Sequence, residues 1–136
     1  MEHLACTYFD KLPIIITRPF NYIGIGQGEH FLIPKIVSHY QKKYTTIELG
    51  NLDVAREFND VRDIVLWYSD LLQSQAQGEI INLCSGNAIS LMDIISSMNH
   101  LAGYTIDVRV NPKFVRSNEI KTLFGSTKKL IQLTPK

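Results

Sequence analysis

The residues best suited to chemistry in this chain lie in three separated stretches, each with an arginine beside amides, carboxylates and tight-turn residues. They are Arg18-Pro19-Phe20-Asn21, the run Gly50-Asn51-Leu52-Asp53-Val54-Ala55-Arg56-Glu57-Phe58-Asn59-Asp60-Val61-Arg62-Asp63, and Val115-Arg116-Ser117-Asn118-Glu119. An arginine fork grips phosphate oxygens in pairs, while Asn and Glu side chains take hydroxyl hydrogens or ring edges. Such loops are equipped to hold a phosphorylated, hydroxyl-rich ligand. No residue stands in a pattern that assigns it hydride or proton transfer. The expectation is therefore the ligand-binding part of an enzyme whose chemical half lies outside these residues.

The elements that must position these loops alternate between helix and strand. Leu4, Tyr8 and Phe9 give residues 1–10 a helical spacing without an N-cap, as in the second half of a longer helix. Residues 13–17 and 79–84 are short apolar runs suited to strands of a parallel sheet, and residues 45–49 and 106–110 read as two further strands. Helices are expected over 30–43, with Pro34 tolerable only in the first turn, and over 61–73, capped by Asn59 or Asp60. In the second, Val61, Ile64, Val65, Tyr68, Leu71 and Leu72 form a broad apolar stripe, and Trp67 is expected to pack. Ser90 and Asp93 mark the start of a helix over 91–102 that Gly103 ends, residues 112–118 form a loop, and a last helix covers 126–132. The alternation defines the α/β class.

Bulk properties narrow the function. A chain of 136 residues with 45% hydrophobic and 20% charged residues can bury a core as one domain by length. A net charge of +1 argues against a dedicated nucleic-acid surface or a polybasic membrane patch. No run of eighteen apolar residues occurs, and the opening residues lack the pattern of a signal peptide, so the expected location is cytoplasmic and reducing. Cys6 and Cys84 make no disulfide framework, and His3, His30, His39 and His100 form no metal-ligand pair.

Taken in order, the motifs resemble the carboxy-terminal half of the extended short-chain dehydrogenase/reductases, the NAD-dependent epimerase/dehydratase family. The nearest branch is the one that handles GDP-mannose and GDP-4-keto-6-deoxymannose, as GDP-mannose 4,6-dehydratases and the matching reductases do. The motifs that carry the resemblance are Ile-Thr-Arg-Pro-Phe-Asn-Tyr-Ile-Gly at 16–24, Ile-Pro-Lys at 33–35, Gly-Asn-Leu-Asp at 50–53, Arg-Glu-Phe-Asn-Asp-Val-Arg-Asp at 56–63, Ile-Asn-Leu-Cys-Ser-Gly at 81–86 and Val-Arg-Ser-Asn-Glu-Ile at 115–120. The resemblance implies a Rossmann-type fold whose dinucleotide fingerprint and Tyr-x-x-x-Lys precede Met1; none of the tyrosines here has a lysine four positions on. It divides the chain into the tail of the Rossmann domain at 1–17 and a substrate-binding region at 18–136 that stops short of the family's usual end. It also places Arg18, Pro19 and Phe20 beside the nicotinamide of NAD or NADP. The substrate residues it assigns are Asn21, Lys35, Asn51, Arg56, Arg116 and Glu119, holding a nucleotide-diphosphate sugar, with Arg56 and Arg116 on the diphosphate and Glu119 on ribose hydroxyls.

Each assignment has an ordinary counterpart. Asn21 could satisfy its own turn, Lys35 could be a solvated lysine opposing a helix dipole, and the two arginines could form surface salt bridges. Arg62 is read as structural, paired with Asp60 or Asp63. Gly24-Ile25-Gly26-Gln27-Gly28-Glu29 fails the dinucleotide spacing, because Glu29 stands at the third glycine, and is read as a turn. As partners the reading expects a nucleotide-diphosphate sugar and either a homo-oligomer or a missing amino-terminal half, since the strands at 13–17 and 79–84 suit a sheet interior. The alternative is a non-catalytic nucleotide-binding or dimerisation remnant. The 136 residues alone should show no dehydrogenase, dehydratase or epimerase turnover. Cofactor oxidation or sugar conversion above blank by the purified chain would refute this.

Overall fold

The computed structural model describes residues 1–134. In chain order its elements are helix α1 (Glu2–Cys6), strands β1 (Ile15–Pro19) and β2 (Tyr22–Ile23), helix α2 (Leu32–Gln41), strands β3 (Thr46–Leu49), β4 (Ala55–Arg56) and β5 (Asn59–Asp60), helix α3 (Val61–Gln73), strands β6 (Glu79–Leu83) and β7 (Ile89–Ser90), helix α4 (Leu91–Ala102), strand β8 (Asp107–Val110), a single 3-10 turn (Pro112–Phe114) within the expected loop, strand β9 (Thr122–Leu123) and helix α5 (Lys128–Leu133). The class is α/β. Two compact units interleave along the chain, one built from Met1–Tyr22, Glu57–Asn87 and the residues from Phe124 on, the other from Ile23–Arg56 and Ala88–Leu123. No helix among the described residues is long and apolar enough to cross a membrane.

In the first unit, the two β-branched runs find each other. β1 and β6 are parallel, in register from Ile15 opposite Glu79 to Pro19 opposite Leu83. Pro19, which has no N–H to donate, is the last residue of its strand. Ile81 and Leu83 of β6 pack with Ile64 and Leu71 of α3 and Leu130 of α5. α3 spans the expected residues, and of its two candidate caps Asp60 is the one used: its Oδ1 accepts from the Arg62 amide at 2.8 Å. The Arg62 guanidinium also bonds this carboxylate, and together the two groups hold the Asp60 carboxyl down at about 2. The expected broad stripe on α3 is narrower than its sequence suggests. Only Ile64 and Leu71 are buried, while Val65 and Leu72 are 61% and 85% exposed, because two strands and a short helix cover one line of residues. α1 is shorter than expected, ends at Cys6 and buries nothing.

Polar groups are also buried in this unit, foremost Glu57, whose side chain is fully buried. Among the described residues no cation partners it. Its Oε1 accepts from the Ser85 amide and, at 3.2 Å, from the Ser85 hydroxyl, and its Oε2 accepts from the Gly125 amide at 3.1 Å. Asn59, 4% exposed, accepts from the Ser85 amide at 3.1 Å and donates to the Asn21 carbonyl at 3.1 Å. A buried carboxylate is tolerable only when donors replace its water, and backbone amides do so here. Gly125 is needed for this approach, since a Cβ there would lie 2.6 Å from Cys84 Sγ and 2.8 Å from the Phe20 ring. Burial, and then the nearby Glu57 charge, pushes the Cys84 thiol up to about 11, which leaves it unreactive at neutral pH.

The second unit has its own core of Ile36, Tyr40, Ile47, Leu49, Leu91, Ile95 and Ile106. β3 and β8 are parallel, with Thr46 opposite Asp107 and Leu49 opposite Val110. The Tyr40 hydroxyl donates to Asn99 Oδ1 at 2.7 Å, and the same oxygen accepts from the Ile106 amide at 3.0 Å, so the buried phenol is satisfied. α4 begins as expected, with Ser90 Oγ accepting from the Asp93 amide at 3.0 Å, and ends at Gly103. α2 runs only from Leu32 to Gln41, because Phe31 offers no side-chain cap and Lys43 turns the chain with φ of 55°. Pro34 falls in its first turn, where a missing amide costs nothing. β4 pairs antiparallel with β7 and parallel with β9, two-residue strands too short to show a period in the sequence.

Glu57→Ala should lower the unfolding free energy by about 2 kcal/mol or more, because the Gly125 amide loses its acceptor and a void opens. Urea denaturation followed by Trp67 fluorescence measures this, and an unchanged midpoint would refute the role of Glu57.

Candidate functional site

The second unit carries a cavity of about 410 Å³ whose lining includes Asn51, Asp53, Val115, Ser117, Glu119 and Lys121. It forms where the turn after β3 meets the segment after β8. Gly50 permits that meeting, since a Cβ on it would lie 2.3 Å from the Phe114 carbonyl oxygen, a backbone atom that cannot swing aside. Asn51 then fastens the loop. Its Oδ1 accepts from the Arg116 amide at 2.9 Å and its Nδ2 donates to the Arg116 carbonyl at 3.1 Å, a side chain imitating a strand partner.

Arg56 arrives from β4 and is held in one orientation. Its Nη1 donates to the Ala55 carbonyl at 2.8 Å and the Lys121 carbonyl at 3.2 Å, and its Nη2 donates to Glu119 Oε1. The Arg56 and Glu119 side chains are only 15% and 19% exposed, so this is not an ordinary surface bridge. Arg116 approaches the other oxygen of Glu119, with Nε at 4.0 Å, but remains 82% exposed. One carboxylate therefore sits between two guanidinium groups, one fixed and one free to move. A second ion pair, Lys121 to Asp53 at 2.6 Å, stands open to solvent.

The structure thus brings Arg56, Arg116 and Glu119 together, with Asn51 adjoining them through the Arg116 backbone. Both polar atoms of the Asn51 side chain are engaged there, which makes it a residue that positions Arg116. Lys35 is close by but differently employed: its Nζ donates to the Glu48 carbonyl at 2.6 Å and lies 4.6 Å from the Phe114 ring centroid. The backbone carbonyl and ring face offset the cost of a cation in the first turn of α2. Arg18, Pro19, Phe20 and Asn21 belong to the first unit, at the carboxyl end of β1. The Arg18 guanidinium is bound twice by Glu2, at 2.9 and 2.6 Å, Asn21 is exposed, and its carbonyl accepts from the Asn59 amide at 2.9 Å. Asp53 and Lys121 were not singled out by the sequence. Asp53 lies within the Gly-Asn-Leu-Asp motif, whereas nothing about Lys121 distinguishes it from other surface lysines. Among the described residues no group of three or more His, Cys, Asp or Glu is placed to hold a metal ion.

Two arginines and an acid thus converge beside a cavity whose lining includes Leu52, Val54, Val110 and Val115. Residues 1–134 match the family model of GDP-mannose 4,6 dehydratase, and the chain belongs to that family, within the extended short-chain dehydrogenase/reductases. It is 36% identical to GDP-6-deoxy-D-talose 4-dehydrogenase of Aggregatibacter actinomycetemcomitans over 98% of this chain and 45% of that protein. Among solved structures it resembles a candidate epimerase of Burkholderia cenocepacia, with TM-score 0.94 and 46% identity over 100% of this chain and 45% of the other. It also resembles RMD of Pseudomonas aeruginosa, solved with NADPH, with TM-score 0.83 and 28% identity over 98% of this chain and 46% of that one. The chain spans less than half the length of the relatives it matches.

Gly50→Ala should destabilise the chain by about 2 kcal/mol, because the clash is with backbone. Asn51→Ala should cost about 1 kcal/mol but speed hydrogen exchange at the Arg116 amide selectively. Unchanged exchange at Arg116 would show that Asn51 does not hold the loop.

Proposed function

We propose that the chain is the nucleotide-sugar-binding part of an NAD(P)-dependent dehydratase, reductase or epimerase, with a GDP-sugar as ligand. The observation that carries this is the meeting of Arg56 and Arg116 at Glu119, which lines the cavity. Arg56, with two backbone carbonyls fixing its fork, presents its charge in a set direction, so little entropy is lost when an anion binds. Arg116, anchored by its backbone to Asn51 but free in its side chain, closes on the second phosphate. Glu119 lies between them, positioned to accept from ribose hydroxyls as Arg116 turns to the diphosphate beside the fixed Arg56. Lys35 flanks the nucleotide through Phe114; the family resemblance assigns Asn21, a residue of the first unit, to the sugar.

In this reading residues 1–17 end a dinucleotide-binding domain and residues 18–136 hold substrate, in a cytoplasmic enzyme that is a homo-oligomer or pairs with an amino-terminal half. Arg18, Pro19 and Phe20 meet the nicotinamide through their backbone, since the Arg18 guanidinium is engaged by Glu2. The cofactor supplies hydride exchange when bound. The residues of this chain bind and orient, and none is assigned a proton-transfer role. The relative from Aggregatibacter is named for a GDP-sugar, which favours guanine as the base.

Titration of GDP and GMP, followed by NMR shifts of the chain and of Arg56→Ala, Arg56→Lys and Arg116→Ala, tests the clamp. GDP should bind more tightly than GMP. Each alanine substitution should weaken GDP by about tenfold, and Arg56→Lys should recover only part, because a point charge replaces the fork. If GMP binds as well as GDP, or GDP is indifferent to both alanine variants, the diphosphate clamp is wrong.

A further inference from the structure

Two ion pairs border one cavity, and only one of them is needed to explain anion binding. The Arg56–Glu119 pair is enclosed and tied to backbone carbonyls. The Lys121–Asp53 pair is held by one contact, at 2.6 Å, with side chains 80% and 85% exposed. An open pair of this kind contributes little to stability and separates at little cost, so both of its groups are available to a ligand. The lining they share includes Leu52, Val54, Val110 and Val115, apolar groups that suit the faces of a flat ring. The cavity volume of about 410 Å³ lies within the range of small-molecule sites.

We infer that Asp53 and Lys121 read the edge of a guanine base, Asp53 accepting from the ring N1–H and the exocyclic amine and Lys121 donating to O6. The inference rests on the nucleotide-binding reading above and names the residues that select the base. Guanine presents two adjacent donors beside an acceptor, and an adjacent carboxylate and ammonium present the complementary set. Uracil and thymine present a single ring donor between two carbonyl oxygens, so a carboxylate accepting that hydrogen also meets an oxygen. Adenine presents a ring acceptor where guanine has its N1–H, which leaves Asp53 facing a lone pair. Lys35, the other cation nearby, is engaged by the Glu48 carbonyl and the Phe114 ring, and is not part of the cavity lining.

Dissociation constants of the 136-residue chain for GDP, IDP and UDP, measured by NMR titration, test this when compared with Asp53→Ala, Lys121→Met and Arg56→Ala. IDP lacks only the exocyclic amine. The unsubstituted chain should prefer GDP to IDP and to UDP by about tenfold or more. Asp53→Ala should remove most of the preference over IDP, Lys121→Met should weaken GDP and IDP alike, and UDP binding should change by less than about twofold in both. Both positions are exposed, so circular dichroism should be unchanged. If Asp53→Ala leaves the GDP-to-IDP ratio intact while Arg56→Ala still weakens GDP, the base assignment is overturned and the diphosphate clamp stands. UDP binding more tightly than GDP to the unsubstituted chain has the same meaning. If no nucleoside diphosphate binds at all, both readings fall.

Discussion

A carboxylate buried among backbone amides governs how the first unit is assembled. Glu57 gathers the Ser85 amide, the Ser85 hydroxyl and the Gly125 amide onto its two oxygens, joining the chain after β4, the end of β6 and the segment before α5. None of these backbone groups belongs to a helix or a ladder, so each would otherwise be an unpaid polar group inside the protein. The arrangement requires glycine at 125 and an acid at 57, and it raises the pKa of the adjacent Cys84 thiol. Neighbouring residues in this stretch serve different ends: Arg56 pairs with Glu119 in the second unit, and Glu57 is buried in the first.

The cavity follows a similar economy of backbone contacts. Gly50 allows one segment to come against the Phe114 carbonyl, and Asn51 spends both its polar atoms on Arg116. What remains at the surface is a graded set of charges. Arg56 is enclosed and immobile, Glu119 is shared, and Arg116, Asp53 and Lys121 are open. Rigid groups lose little freedom on binding an anion, and open groups can adapt.

The chain belongs to the GDP-mannose 4,6 dehydratase family, and the match covers nearly all of the chain and under half the length of the relatives named above. None of the tyrosines in the chain has a lysine four positions on.

Much of the fold was legible because its signals are local. The β-branched runs at β1 and β6, the Asp60 cap of α3, the Ser90 and Asp93 pair of α4 and the stop at Gly103 each act within a few residues, and each appears where its chemistry requires. The order of the motifs likewise pointed to Arg56, Arg116 and Glu119. Other features depend on partners far away in the chain. The two-residue strands β4 and β9 exist only because residues 55 and 122 meet, and no period can announce them. The fate of the α3 stripe depends on how much surface its neighbours offer, so Val65 and Leu72 stay exposed while Ile64 and Leu71 are buried. Asn51 looked like a ligand contact, and only the approach of Arg116 across 65 positions shows it holding a loop. Asp53 and Lys121, 68 positions apart, become a pair for the same reason. Residue types and short-range spacing determined the elements and the chemistry available to this protein. Which of those groups share a cavity was decided by long-range packing, because contacts across many residues leave no pattern in a linear sequence.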